Sequence, residues 1–183
     1  MKWLSSKTII TFSLTLSLLA MQIAHPGYAN ENKQKGLSSQ KSNYSIYLVR
    51  HAEKDNSQRN PHLTEKGNRR AQKLAQYLVN KNITAVFSTN YNRTLQTATP
   101  IADLINVSIQ LYDPSKLDSF ATQLKSMKEN ILVVGHSNTT PELASKLSGV
   151  NVQPMSEQDY HRLLIVSFEN DTIQFTEIDL DNM

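Results

Sequence analysis

From Tyr44 onward, short apolar runs alternate with longer stretches in which apolar residues recur at helical spacing. Ile46-Tyr47-Leu48-Val49 predicts a buried strand. Ala71, Leu74, Ala75, Leu78 and Val79 then predict an amphipathic helix from Glu65 to Asn80. Thr64 is its expected N-cap, and Glu65 falls in the first turn, where the helix dipole favours negative charge. Ala85 to Phe87 predicts a second strand, and Leu95, Ala98, Ala102 and Ile105 a second helix kinked at Pro100. A third strand around Ile109-Gln110-Leu111 and a helix through Phe120, Leu124 and Met127 follow. Ile131-Leu132-Val133-Val134 is the most apolar run and is expected at the sheet centre. Thr140-Pro141 reads as an N-cap with proline at the first helical position, and Gly149 ends that helix.

This alternation predicts an α/β domain over residues 44–183, a three-layer sandwich with a mostly parallel sheet and helices on both faces. The chain ends differently. Leu163 to Phe168 and Thr172 to Ile178 flank Glu169-Asn170-Asp171, which predicts a C-terminal antiparallel hairpin at the sheet edge. No internal repeat and no second domain can be read.

The first residues follow another pattern. Lys2 and Lys7 precede a mostly apolar stretch from Ile9 to Ala24, and Gly27-Tyr28-Ala29 places small residues at the third and first positions before a cut. That order predicts a signal peptide over residues 1–29, cleaved after Ala29, and a periplasmic or secreted protein. The apolar run is shorter than the ~20 residues of a membrane span and is interrupted by Thr11, Ser13, Thr15 and Ser17. No stable membrane insertion is expected after cleavage, with a retained anchor as the alternative. Residues 30–43 are polar and without period, as in a flexible leader.

Removing residues 1–29 takes away two lysines and no acidic residue, so the formal charge drops from +3 to +1. The near-neutral remainder argues against nucleic acid as a partner. With no cysteine in the chain, packing rather than disulfides must hold an exported domain together.

Three polar clusters follow predicted strands, where open α/β sheets bind their ligands. They are Arg50-His51-Ala52-Glu53-Lys54, Ser88 to Arg93, and His136-Ser137-Asn138. Taken singly, each is an ordinary surface or core feature. Together they put two histidines, two arginines and a lysine on one rim, where like charges repel unless an anion joins them.

In this setting the sequence resembles the histidine phosphatase superfamily, which includes the phosphoglycerate mutases. Leu48-Val49-Arg50-His51-Ala52-Glu53 is similar to its strand ending in Arg-His-Gly, with Ala52 in place of glycine as in an Arg-His-Ala-Glu subgroup. Leu63-Thr64-Glu65-Lys66-Gly67 resembles the start of its first helix. The stretch from Phe87 to Ala98 resembles its block ending Arg-x-x-Gln-Thr-Ala, and Val133 to Ser137 its last catalytic block.

The resemblance implies a phosphoric monoester hydrolase of histidine acid phosphatase type, with no cofactor and no metal. His51 would attack phosphorus as neutral imidazole, its other ring nitrogen held by a backbone carbonyl. Arg50 and Arg93 would bind phosphate oxygens through their planar forks, and Lys54 would add a point charge. A protonated His136 would donate to a phosphate oxygen. Many relatives supply the leaving-group proton from a glutamate after the third strand, but residues 111–118 contain none. Glu53 is the first candidate acid, against a reading in which it only positions Arg93 or Lys54; Asp113 and Asp118 are weaker candidates. The expected partner is a phosphorylated small molecule or an envelope-attached phosphate, with a cell-envelope sugar phosphate suggested by the subgroup and the export signal. A phosphoglycerate-mutase-like phosphotransferase and a non-catalytic phosphate-ligand binding protein are the alternatives.

Overall fold

The computed structural model of the chain describes residues 43–182. The predicted signal segment, and the leader up to Ser42, lie outside the described residues. The elements in chain order are β1 (Tyr44–Arg50), α1 (Glu65–Leu78), β2 (Ala85–Ser88), α2 (Asn92–Ile105) and β3 (Ile109–Leu111). They continue with α3 (Leu117–Met127), β4 (Ile131–Gly135), α4 (Thr139–Ser148), β5 (Arg162–Glu169) and β6 (Thr172–Asp179). A 3-10 turn over Leu180–Asn182 follows.

The sheet has six strands in the order β3-β2-β4-β1-β5-β6. The first four are parallel, while β5 and β6 run antiparallel, β6 forming one edge. Central strands alternate their side chains between two apolar layers. Ile46, Leu48, Phe87, Ile131 and Val133 face α3 and α4, meeting Phe120, Leu124, Leu143 and Leu147. Tyr47, Val49, Val86, Leu132 and Val134 face α1 and α2, meeting Leu74, Leu78, Ala98 and Ile101. The three-layer α/β reading holds, and β4 is central as its uninterrupted apolar run predicts. The hairpin closes on Asn170 and Asp171, both at positive φ (48° and 69°), as a two-residue turn matching the strand twist requires.

Thr64 caps α1 as predicted, its hydroxyl accepting from the Gly67 amide at 3.1 Å. The start of α4 differs from the sequence reading. Asn138 is the cap position, the helix begins at Thr139, and Pro141 is the third helical residue. Thr139 Oγ1 accepts from the His136 amide at 3.1 Å, and the Thr140 amide donates to the His136 carbonyl at 3.0 Å, winding the chain into helix early. Proline is tolerated there because the first-turn N–H groups have no intrahelical partner. α2 runs through Pro100 without interruption. Among the described residues no helix is long and apolar enough to cross a membrane.

Candidate active site

Parallel pairing brings the polar clusters together. Arg50 is in register with Gly135, and Ser88 with Val134, so the segments after β1, β4 and β2 leave the sheet side by side. The His51 amide donates to the Gly135 carbonyl at 2.9 Å, extending the β1–β4 ladder by one residue. His51 and His136 then sit with ring centroids 5.6 Å apart, edge to face.

His51 is buried, and its Nδ1 lies 2.8 Å from the Ala52 carbonyl oxygen. A carbonyl only accepts, so Nδ1 carries the proton and Nε2 keeps its lone pair. Burial, reinforced by Arg50, Arg93 and His136, pushes the ring's pKa from near 6.5 to about 3, against the opposing pull of the Ala52 carbonyl. The nucleophile expected from the sequence is thus neutral and oriented.

Arg93, Gln96, Thr97 and Ala98 of the second block tie it to the site. Thr97 Oγ1 accepts from the Ala52 amide at 2.9 Å and donates to the Arg93 carbonyl at 2.7 Å, joining the His51 loop to α2. Gln96 Oε1 accepts from the Leu63 amide at 2.8 Å, and Ala98 is fully buried. Arg93 emerges in the first turn of α2, its guanidinium 4.5 Å from the Tyr91 ring centroid. The Nε atoms of Arg50 and Arg93 are buried and without a hydrogen-bond partner. Such donors are costly in a folded protein and point to an anion that both residues share.

His136 is fixed by a hydroxyl chain. Thr94 Oγ1 donates to the carbonyls of Thr89 and Tyr91, so Thr89 Oγ1 donates to Thr94 Oγ1 at 3.0 Å. Thr89 Oγ1 is then left to accept from His136 Nε2 at 3.0 Å. Burial, then Arg93 and Arg50, lower the His136 pKa to about 4. The protonated ring expected from the sequence is therefore disfavoured until negative charge arrives beside it.

Glu53 is placed differently from the sequence reading. Its carboxylate takes Arg70 Nε at 3.1 and 3.0 Å on its two oxygens and Arg70 Nη2 at 2.9 Å, with Lys66 Nζ at 3.2 Å. Burial works against its charge, but the Arg70 bonds win and hold its pKa below the usual carboxylate range. It secures the His51 loop to α1, and neither Arg93 nor Lys54 is its partner. Lys54 Nζ reaches Asn56 Oδ1 at 2.8 Å on the exposed rim. Asp113 accepts from Ser115, and Asp118 pairs with Lys146 at 2.7 Å, both exposed. Among the described residues no group of three histidine or acidic side chains is arranged to hold a metal.

The sequence reading passed over Thr89, Thr94, Tyr91, Arg70, Glu157 and Tyr160. The two threonines and Tyr91 lie inside the block from Phe87 to Ala98, and their polarity next to a buried strand was the available signal.

Residues 46–114 match the sequence model of the histidine phosphatase superfamily, branch 1. The fold is similar to that of the protein histidine phosphatase SixA complexed with tungstate, at TM-score 0.62 and 16% identity over 75% of this chain and 98% of that one. It is also similar to the alpha-ribazole phosphatase from Shigella flexneri, at TM-score 0.60 and 14% identity over 74% and 96%. A third similar structure is phosphoserine phosphatase from Entamoeba histolytica in complex with 3-phosphoglyceric acid, at TM-score 0.53 and 16% identity over 74% and 96%. None of the curated protein sequences matches. The segment that carries Arg50, His51 and Arg93 matches the model of the histidine phosphatase superfamily, and the domain around it has the fold seen in these phosphatase structures.

Proposed function

We propose that the chain is an exported phosphomonoester hydrolase that works through a phosphohistidine on His51. The observation that carries this reading is the pair of buried, unpartnered Nε donors of Arg50 and Arg93 beside a histidine whose Nδ1 is committed to a carbonyl. A phosphoryl group would satisfy both donors with its equatorial oxygens and present phosphorus to His51 Nε2. The P–N bond forms as the ester P–O bond breaks, and the departing oxygen takes a proton from solvent water. Water then attacks phosphorus, the P–N bond breaks, and orthophosphate leaves. A phosphoryl dianion offsets the arginine charges that, together with burial as the larger cause, keep His136 neutral. A substrate bound as its monoanion, with a second pKa near ~6, brings the proton that would make His136 Nδ1 a donor beside the Nε2–H already given to Thr89.

An open cavity of about 320 Å³ beside the site is lined by Tyr91, Arg93, Pro114, Ser115, His136, Asn138 and Thr139. Apart from Arg93 and His136 these side chains are uncharged, which supports a neutral, hydroxyl-bearing leaving group such as a sugar. Release to the periplasm or outside, after cleavage at Ala29, would give it envelope phosphates as substrates. The test is turnover, with and without chelator, of a panel of sugar phosphates, nucleotides, phosphoserine and a phosphohistidine protein. Preferred hydrolysis of sugar phosphates in chelator is expected; no turnover of any member would overturn the reading.

A further inference from the structure

The connection between α4 and β5 carries the residues that contact Arg50 most closely. Arg50 Nη1 donates to the Ser156 carbonyl at 2.8 Å, and Nη2 donates to Glu157 Oε2 at 3.0 Å. The Tyr160 ring lies over the guanidinium, its centroid 4.3 Å from Cζ. An arginine has two usable edges, one formed by Nη1 and Nη2 and the other by Nε and the second Nη2 hydrogen. Here the outer edge is taken by one short peptide segment, and the inner edge ends in the buried, unpartnered Nε.

The segment is braced from within. Asp159 Oδ2 accepts from the Ser156 amide at 2.8 Å, and the Asp159 amide donates to the Ser156 carbonyl at 3.2 Å. Glu157 also reaches the other side of the site, where its Oε1 accepts from Ser137 Oγ at 2.9 Å. Ser137 directly follows His136. One exposed carboxylate thus bridges the arginine that precedes the nucleophile and the loop that carries the second histidine. Among the described residues Arg93 has no such hydrogen-bonded bracket: its guanidinium lies against the Tyr91 ring, and the Glu157 charge acts on it through space.

We propose that Glu157 is a positioning residue that holds the outer edge of Arg50 and thereby presents the inner edge, Nε and Nη2, to the phosphoryl group. The inference rests on the phosphate reading of the site. It gives the 156–160 segment a role in anion affinity rather than in proton transfer.

Orthophosphate titrated calorimetrically into the purified protein tests this, using wild type, Glu157→Gln, Glu157→Ala, Arg50→Ala and the Arg50→Ala/Glu157→Ala double variant. Glu157→Ala should weaken orthophosphate binding about tenfold, the size of coupling seen between contacting residues. Glu157→Gln, which keeps an acceptor oxygen for Arg50, should recover part of that loss. In the Arg50→Ala background, adding Glu157→Ala should change nothing further. KM for an aryl phosphate should rise in step with the dissociation constant. Unchanged or tighter binding in Glu157→Ala would overturn the proposal, as would a full tenfold loss on top of Arg50→Ala. Arg50→Ala binding orthophosphate as wild type does would instead remove the phosphate reading itself.

Discussion

Gly67 is packed against the backbone carbonyl of Glu53 so closely that a β-carbon on it would overlap that oxygen. The same carbonyl accepts from the Thr64 amide at 2.8 Å and from the Thr64 hydroxyl at 3.2 Å. The first turn of α1 is thereby seated on the loop that follows His51, and only glycine allows the approach. Backbone cannot swing aside as a flexible side chain can, so Gly67→Ala must displace either the helix or the loop.

Gly67→Ala should therefore lower stability by roughly 1–3 kcal/mol, the usual cost of overpacking. It should also reduce turnover by more than that loss explains, because the displaced loop carries Ala52, whose carbonyl orients His51. Thermal melting beside kcat checks both. Wild-type values for the two would mean the contact is relieved without moving the loop.

Glu53→Gln separates the proton donor from the loop anchor. With Arg70 holding its carboxylate, the substitution should slow alkyl and aryl phosphates by the same factor. It should also lower stability by roughly 1–3 kcal/mol, since Arg70 loses the charge of one of its two carboxylate partners and keeps Asp181. A loss confined to alkyl phosphates, whose leaving group needs protonation, would restore Glu53 as the acid.

That the ion-pair partner of Glu53 is not legible in the sequence has a physical reason. Its partner Arg70 stands 17 residues on, inside an amphipathic helix, and only the packing of α1 on the His51 loop brings them together. Residues at strand ends were legible because parallel strands project them to one rim, as Arg50, His51 and His136 show. Thr64 was legible because capping is local chemistry. Glu157 and Tyr160 were not, since they lie in a connection with neither apolar period nor adjoining strand end, and their contact with Arg50 spans more than 100 residues.

The two histidines set the pH response. Their pKa values are lowered to about 3 and about 4, so both are neutral above those values rather than above 6.5. Acidification from pH 7 to 5 should leave kcat/KM level or rising, as substrate monoanion accumulates, with a fall only on approach to pH 4. A fall centred near 6.5 would mean that His51 titrates as a solvated ring. Stability moves the other way. Unfolded histidines bind protons below about 6.5 while the folded ones do not until 3–4, so melting temperature should drop through that window. In His136→Asn the drop should be shallower.

The covalent step itself is the most direct measurement. A reaction with labelled phosphate ester, quenched within one turnover, should leave label on His51 that survives alkali and is lost in mild acid, the signature of a phosphorus–nitrogen bond. His51→Ala, which removes Nε2 and its lone pair, should abolish both the label and turnover. Label that survives acid and is lost in alkali, or turnover in wild type with no label on His51 under either quench, would contradict the mechanism.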